Sequence, residues 1–296
     1  MAQVEHLETM WEEEKKDNCN GEEQNPVNTN KRKYKEVAVF GNYRNYYGYR
    51  IGLDEDPRLK AMKKEWFEGK NCLDIGCNSG AVTIAIAQKF CCRSILGIDI
   101  DSDRVTDSYW HLKKVERAHE RLLLKTSKQV DSKRLNGLEG HLAESLNGRT
   151  RDDSEESHAS GRRDLSDIVS FKKANFIKHW NTPEDVPFDT IICLSVSKWV
   201  QLNWGDEGLI TLFVKAWRLL RPGGVFILEP QPWNSYHKNR LVSETTRINY
   251  QNIKIHPEDF QDVLLDKIGF RRVEDITSNA SGQKSGFQRP IFAFWK

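Results

Sequence analysis

The eight residues Leu73–Gly80, LDIGCNSG, hold the strongest chemical signal in the chain. An apolar run ends in a turn at Gly76, and Gly80 opens a segment with helical spacing, AVTIAIAQKF. Glycines at such a turn let the backbone approach a ligand at the carboxyl edge of a parallel sheet. Dinucleotide sites use G-x-G-x-x-G, so that amides and a helix N-terminus cradle a pyrophosphate. Here the spacing is G-x-x-x-G, and the second glycine of that fingerprint is missing.

The next apolar run, RSILGIDID, places Asp99 at its end. A carboxylate there can accept hydrogen bonds from both hydroxyls of a ribose. Ile100 offers an apolar face to an adenine, while Asp101 and Asp103 are better placed to cap the following helix. S-adenosylmethionine carries a ribose but no phosphate, and D-x-G-x-x-x-G resembles the class I methyltransferase motif. The third and fourth strands end at Asn175–Phe176 and in CLSVSKW, which border the same crevice by topology. Asn175 is a candidate for the adenine edge and Phe176 for its ring face. Leu194 is a candidate for the sulfonium end.

Two further strand ends are unusual. SKWVQLNWGDEG, Ser197–Gly208, sets Lys198, Trp199 and Trp204 past a buried strand, a mix that a plain helix would not choose. EPQPW, Glu229–Trp233, fixes its backbone with two prolines and presents Glu229, Gln231 and Trp233. The N-P-P-Y motif of amino-nitrogen methyltransferases is not there, and neither strand end offers a histidine base. An acceptor that is already nucleophilic, such as a phosphate oxygen, fits.

With GNYRNYYGYR, RPGGVFILEPQPW and GFQRPIF, these segments resemble the small nuclear RNA 5′-methylphosphate capping enzymes, the bicoid-interacting-protein family of RNA methyltransferases. The likeness covers roughly residues 40–296, apart from an insertion. It implies methyl transfer from S-adenosylmethionine to a terminal phosphate oxygen at the 5′ end of a small nuclear or other small non-coding RNA. It implies cofactor contacts at Tyr47, Arg58, Gly76, Cys77, Asn78, Asp99, Ile100, Asn175, Phe176 and Leu194. Phe176 stands where some relatives have tyrosine, keeping the stacking face without the hydroxyl. Lys198, Arg50 and Tyr46 are the catalytic candidates, Lys198 and Arg50 for holding phosphates and Tyr46 for stacking on the first nucleotide or walling the pocket. Trp199, Gln231 and Trp233 are candidates for the RNA end, and Arg289 for an RNA phosphate. Ribonucleoprotein partners, a monomeric catalytic unit and a nuclear location are expected. Two other readings stay open: a methyltransferase of a protein or small molecule, and a non-catalytic RNA-binding adaptor on the same fold.

The elements that must position these residues alternate strand and helix, which implies a doubly wound, mostly parallel α/β sheet. Seven apolar runs are readable, and the last, PIFAFWK, is expected to pair antiparallel. This is the Rossmann-like class I methyltransferase architecture. A long amphipathic helix is expected over DRVTDSYWHLKKVERAHERLLLK, and another over GLITLFVKAWRLL. Residues 1–33 read as a disordered acidic tail ending in KRK, a short basic run such as nuclear-import signals use, and about 125–165 as a disordered insertion. Residues of about 40–58 read as an aromatic lid, with Tyr47 on the cofactor side and Tyr46 and Arg50 on the RNA side. The net charge of +2 on 296 residues neither demands nor excludes a nucleic acid. No apolar run reaches the ~18–20 residues of a membrane span, and the start lacks the apolar core of a signal peptide, so an intracellular protein is expected. None of the six cysteines has zinc-site spacing, so no metal is expected.

Overall fold

The computed structural model describes residues 38–44, 56–138, 164–178, 187–277 and 289–296. The tail, Tyr46, Tyr47 and Arg50 of the lid, and the later part of the insertion lie outside these residues.

The apolar runs form strands β1 Asn71–Ile75, β2 Ser94–Asp99, β3 Val169–Lys173, β4 Phe188–Leu194, β5 Leu220–Glu229, β6 Arg272–Asp275 and β7 Phe292–Trp295. They make one sheet in the order β3-β2-β1-β4-β5-β7-β6. Neighbouring pairs from β3 to β5 are parallel, and β7 is antiparallel to both β5 and β6. The last strand therefore pairs as its position in the sequence implied. Alternate residues point to two cores. Cys72, Ile95, Ile192 and Ile227 belong to one, and Leu73, Ile191, Phe226 and Phe294 to the other. Burial on both faces is why these strands read as unbroken apolar runs.

Helices α1 Ala81–Phe90 and α2 Ser102–Leu138 carry Val82, Ile86, Val105 and Leu112 into the first core. Helix α3, Ser197–Leu219, carries Val200, Leu209, Leu212 and Phe213 into the second. Two expectations need correction. Helix α2 runs on to Leu138, beyond the point near 125 where composition suggested that an irregular insertion begins. SKWVQLNWGDEG is helical after all, but the helix breaks at Gly205, with φ 65° and ψ −166°. Only glycine adopts that conformation at little cost, so the odd composition marks a kink within the helix. After it, the Asp206 carboxylate accepts from Gln201 Nε2 at 2.6 Å and from the Lys254 amide at 2.8 Å. Helices α4 Trp233–Asn239 and α5 Glu244–Asn252 follow β5 and were not foreseen.

The strand order reverses between β1 and β4. Crevices at the carboxyl ends of doubly wound sheets form at such a switch point. Beneath it lies Asp74 of β1, buried, with Thr83 Oγ1 donating to its Oδ2 at 2.6 Å. Burial pushes the Asp74 carboxyl up to about 6, against the lowering influence of the Thr83 bond and of Arg58. A raised carboxyl favours the fold fully below its ordinary 3.8, and that contribution is lost as pH rises through about 6. The gap between those values corresponds to about 3 kcal/mol. Asp74→Asn keeps an acceptor for Thr83 and has no charge to bury. It is expected to gain about 2–3 kcal/mol over the native chain at pH 8 and little at pH 4, read from urea unfolding at both. An equal effect at the two values would contradict the assignment.

Candidate active site

The loop after β1 forms the first wall. Gly76 has φ 78°, and a Cβ on it would collide with Val196 Cγ2 from the turn after β4. The Gly76 and Cys77 amides donate to Ile98 O at 2.8 and 3.0 Å, which fixes the loop against the end of β2. Asn78, at φ 50°, donates its amide to Asp99 Oδ2 at 2.9 Å, and the Asp101 amide donates to Asp99 Oδ1 at 3.0 Å. Burial pushes the Asp99 carboxyl up, opposed by the two backbone bonds. Asp101 caps α2, accepting from the amides of Asp103 and Arg104. Asp99, Ile100, Asn175 and Phe176 all line one crevice with Gly76 and Asn78. A buried carboxylate between apolar faces, beside a glycine with no room for a side chain, suits the adenosyl part of S-adenosylmethionine. The Asn175 Oδ1 is already used, accepting from the amides of Ile177 and Lys178 at 3.0 Å each, so its amide nitrogen is the group left to meet a base.

The ends of β4 and β5 build the second wall. Ser195, at φ 63°, donates its hydroxyl to Glu229 Oε2 at 2.6 Å and accepts from Arg289 Nη1 at 2.9 Å. Arg58 Nη1 donates to the same Glu229 oxygen at 2.9 Å, while its Nε and Nη2 hold Asp56 at 3.0 and 2.7 Å. Gln231 donates to Ser195 O and accepts from the Lys198 amide at 3.2 Å. Lys198 Nζ donates to Ser235 Oγ at 2.9 Å and lies 4.3 Å from the centre of the Trp199 ring.

The third wall is the first part of the expected lid. Phe40 stacks on Trp204 at 5.8 Å, and Tyr43 meets Trp199 edge-on at 6.0 Å. Gly41 lies against the Trp199 ring, at φ 73°, where a Cβ would overlap the indole. Asn42 donates to Asp101, Tyr43 O accepts from Asn78 Nδ2 at 3.3 Å, and the Tyr43 hydroxyl donates to Asn239 at 3.2 Å. The segment is thus fastened to the cofactor-side loop, to α3 and to α4.

The crevice therefore gathers Gly76, Asn78, Asp99, Ile100, Asn175, Phe176, Leu194, Lys198, Trp199, Gln231 and Arg289. Three candidates do not line it. Arg58 is wholly buried with its guanidinium spent on Asp56 and Glu229. Cys77 turns its side chain into the core, leaving only its backbone at the loop. Trp233 stacks on Tyr250 and His256, at 4.9 and 4.2 Å, instead of facing the opening. Tyr46, Tyr47 and Arg50 lie outside the described residues. Sequence reasoning missed Phe40, Asn42, Tyr43 and Ser195. The clustering in GNYRNYYGYR pointed to the right segment, whereas nothing local marks a serine with a left-handed backbone.

Comparison with known proteins agrees with this geometry. A methyltransferase-domain model matches residues 73–226, and the bicoid-interacting protein 3 (Bin3) model matches residues 188–296. A probable RNA methyltransferase of Arabidopsis thaliana is 58% identical over 271 residues, covering 90% of this chain and 83% of that protein. The U6 snRNA methylphosphate capping enzyme Amus of Drosophila melanogaster is 32% identical over 265 residues, covering 87% and 74%. The human 7SK snRNA methylphosphate capping enzyme is 36% identical over 281 residues, covering 87% of this chain and 39% of its own length. With its seven-stranded sheet and both family-model matches, the chain is an S-adenosylmethionine-dependent methyltransferase and belongs to the bicoid-interacting protein 3 family.

Proposed function

We propose that the protein methylates a terminal phosphate oxygen at the 5′ end of a small non-coding RNA. One observation carries the reading. Among the described residues lining the crevice, Asp99 at the end of β2 is the only carboxylate and there is no histidine, while Lys198, after β4, and Arg289, before β7, supply two cations. An alcohol or protonated amine would need a base there. A phosphate oxygen is anionic at neutral pH and needs none, and cations hold it. The relatives named as capping enzymes act on such RNA ends.

When bound, S-adenosylmethionine supplies a methyl group on a sulfonium, which a phosphate oxygen takes in an in-line displacement. Asp99 holds the ribose, Ile100 and Phe176 flank the adenine, and Asn175 donates to its edge. The Gly76–Asn78 backbone and Leu194 border the methionine end. Arg58 acts from beneath, by fixing Glu229, and Tyr47 is assigned to the cofactor. Lys198 and Arg289 orient the phosphate and Trp199 and Gln231 wall the first nucleotide; Arg50 is assigned to the phosphate and Tyr46 to the nucleotide. Positioning accounts for the rate, since no proton moves. The nucleus, and ribonucleoprotein partners there, are the matching setting.

The test incubates the protein with methyl-labelled S-adenosylmethionine and one RNA sequence in three forms, bearing a 5′ triphosphate, a 5′ monophosphate or a 5′ hydroxyl. Label should enter at least one phosphorylated form and not the hydroxyl form. Equal labelling of all three would overturn the reading.

A further inference from the structure

Ser195 occupies a position that serine does not favour. Its φ of 63° lies in the left-handed region, where glycine, asparagine and aspartate are the usual residues. What the serine contributes is its hydroxyl. That one oxygen joins three chain segments: it is at the end of β4, donates to Glu229 at the end of β5, and accepts from Arg289 just before β7. Behind it, Glu229 is wholly buried and fixed by the equally buried Arg58. Among the described residues, Arg289 makes its side-chain hydrogen bond to Ser195 alone, and it is partly exposed at the crevice. A long cationic side chain lining the pocket is thus held by one hydroxyl, itself bonded to a buried, paired carboxylate.

We propose that Ser195 is a positioning residue that aims the Arg289 guanidinium at the anionic end of the methyl acceptor. The proposal rests on the phosphate-acceptor reading above. Two anions could meet this guanidinium, the terminal phosphate of the RNA and the carboxylate of the cofactor. The sheet order favours the phosphate. The ribose and adenine candidates lie over β2 and β3, whereas Arg289 approaches from β7, on the far side of β4 and β5. Hydrogen bonding to Ser195 leaves the other guanidinium nitrogens to grip an oxygen anion in a fixed direction.

The backbone supplies a discriminating variant. Ser195→Gly removes the hydroxyl and suits the left-handed conformation better than serine does, which offsets the loss of one donor to the buried Glu229 carboxylate, so it should still fold. Binding to 5′-monophosphate and 5′-hydroxyl forms of one RNA is measured by fluorescence anisotropy with S-adenosylhomocysteine present. Ser195→Gly and Ser195→Ala should each weaken binding of the phosphorylated form about tenfold and leave the hydroxyl form within about twofold. The affinity for S-adenosylhomocysteine should not move. Arg289→Ala should show the same pattern, and adding Ser195→Gly to it should change nothing more, because the hydroxyl acts only through the guanidinium. Ser195 variants that keep the native phosphate preference would overturn the proposal while leaving the phosphate-acceptor reading intact. So would losses that multiply in the double variant, or a fall in S-adenosylhomocysteine affinity alone, which would assign Arg289 to the cofactor. If the native protein binds both RNA forms equally, the phosphate-acceptor reading fails and this proposal falls with it.

Discussion

Asp99→Ala is expected to weaken S-adenosylmethionine binding by about 100-fold or more, the loss of two hydrogen bonds to a charged acceptor. The side chain has two duties. Its oxygens would receive the ribose hydroxyls, and they already receive the amides of Asn78 and Asp101. Alanine removes both, so the loop that carries Gly76 loosens along with the ligand contact. Asp99→Asn keeps the shape and one acceptor oxygen, and should fall between alanine and the native protein. Because burial raises this carboxyl and binding needs it ionised, affinity should decline on acidification at a higher pH than an ordinary aspartate would give. Calorimetric titration of the cofactor against pH reads both effects. Unchanged affinity in Asp99→Ala would remove the ribose assignment.

Arg58→Ala is expected to cost about 3–5 kcal/mol of stability, the range for breaking a buried ion pair by removing one partner. The guanidinium is wholly buried and lies between the Asp56 and Glu229 carboxylates at 2.7 and 2.9 Å. Its removal leaves two buried anions, and Glu229 Oε1 already has no hydrogen-bond partner among the described residues. A midpoint lower by roughly 10 °C in thermal unfolding would match that loss for a domain of this size. Since Arg58 fixes the carboxylate that fixes Ser195, the surviving folded fraction should also bind a 5′-phosphorylated RNA more weakly. A small stability loss with a large loss of cofactor affinity would instead mean that Arg58 meets the ligand directly.

The two arginines show where sequence reading stopped. The glycine loop and the aspartate at the end of β2 meet at one crevice as expected, because their places are set by local spacing, a turn and a carboxylate about twenty residues on. The strand runs and the antiparallel last strand were legible because burial on both sheet faces leaves continuous apolar segments. Arg58 was assigned to the cofactor, yet its charge is shared between Asp56, two residues away, and Glu229, 171 residues away in the sequence. Ser195 went unmarked because its partner Arg289 is 94 residues distant. Such pairings follow from strand order and from side chains meeting at one edge, which no single segment encodes. The kink at Gly205 was misread for a related reason. The composition of LNWGDEG argued against a regular helix, and the structure keeps the helix and breaks it at one residue. Trp233 was offered to the RNA on the strength of EPQPW, but it stacks on Tyr250 and His256 from later segments and does not line the crevice.

The central claim is that the methyl group ends on a phosphate oxygen of the RNA terminus. The most direct measurement digests the reacted RNA with a nuclease and weighs the 5′-terminal fragment by mass spectrometry, with and without prior phosphatase treatment. The account predicts that this fragment alone is heavier by one methylene unit and that its methylated phosphate resists the phosphatase. A methyl group on an internal fragment, or on a base of the terminal nucleotide with the phosphate still removable, would contradict it.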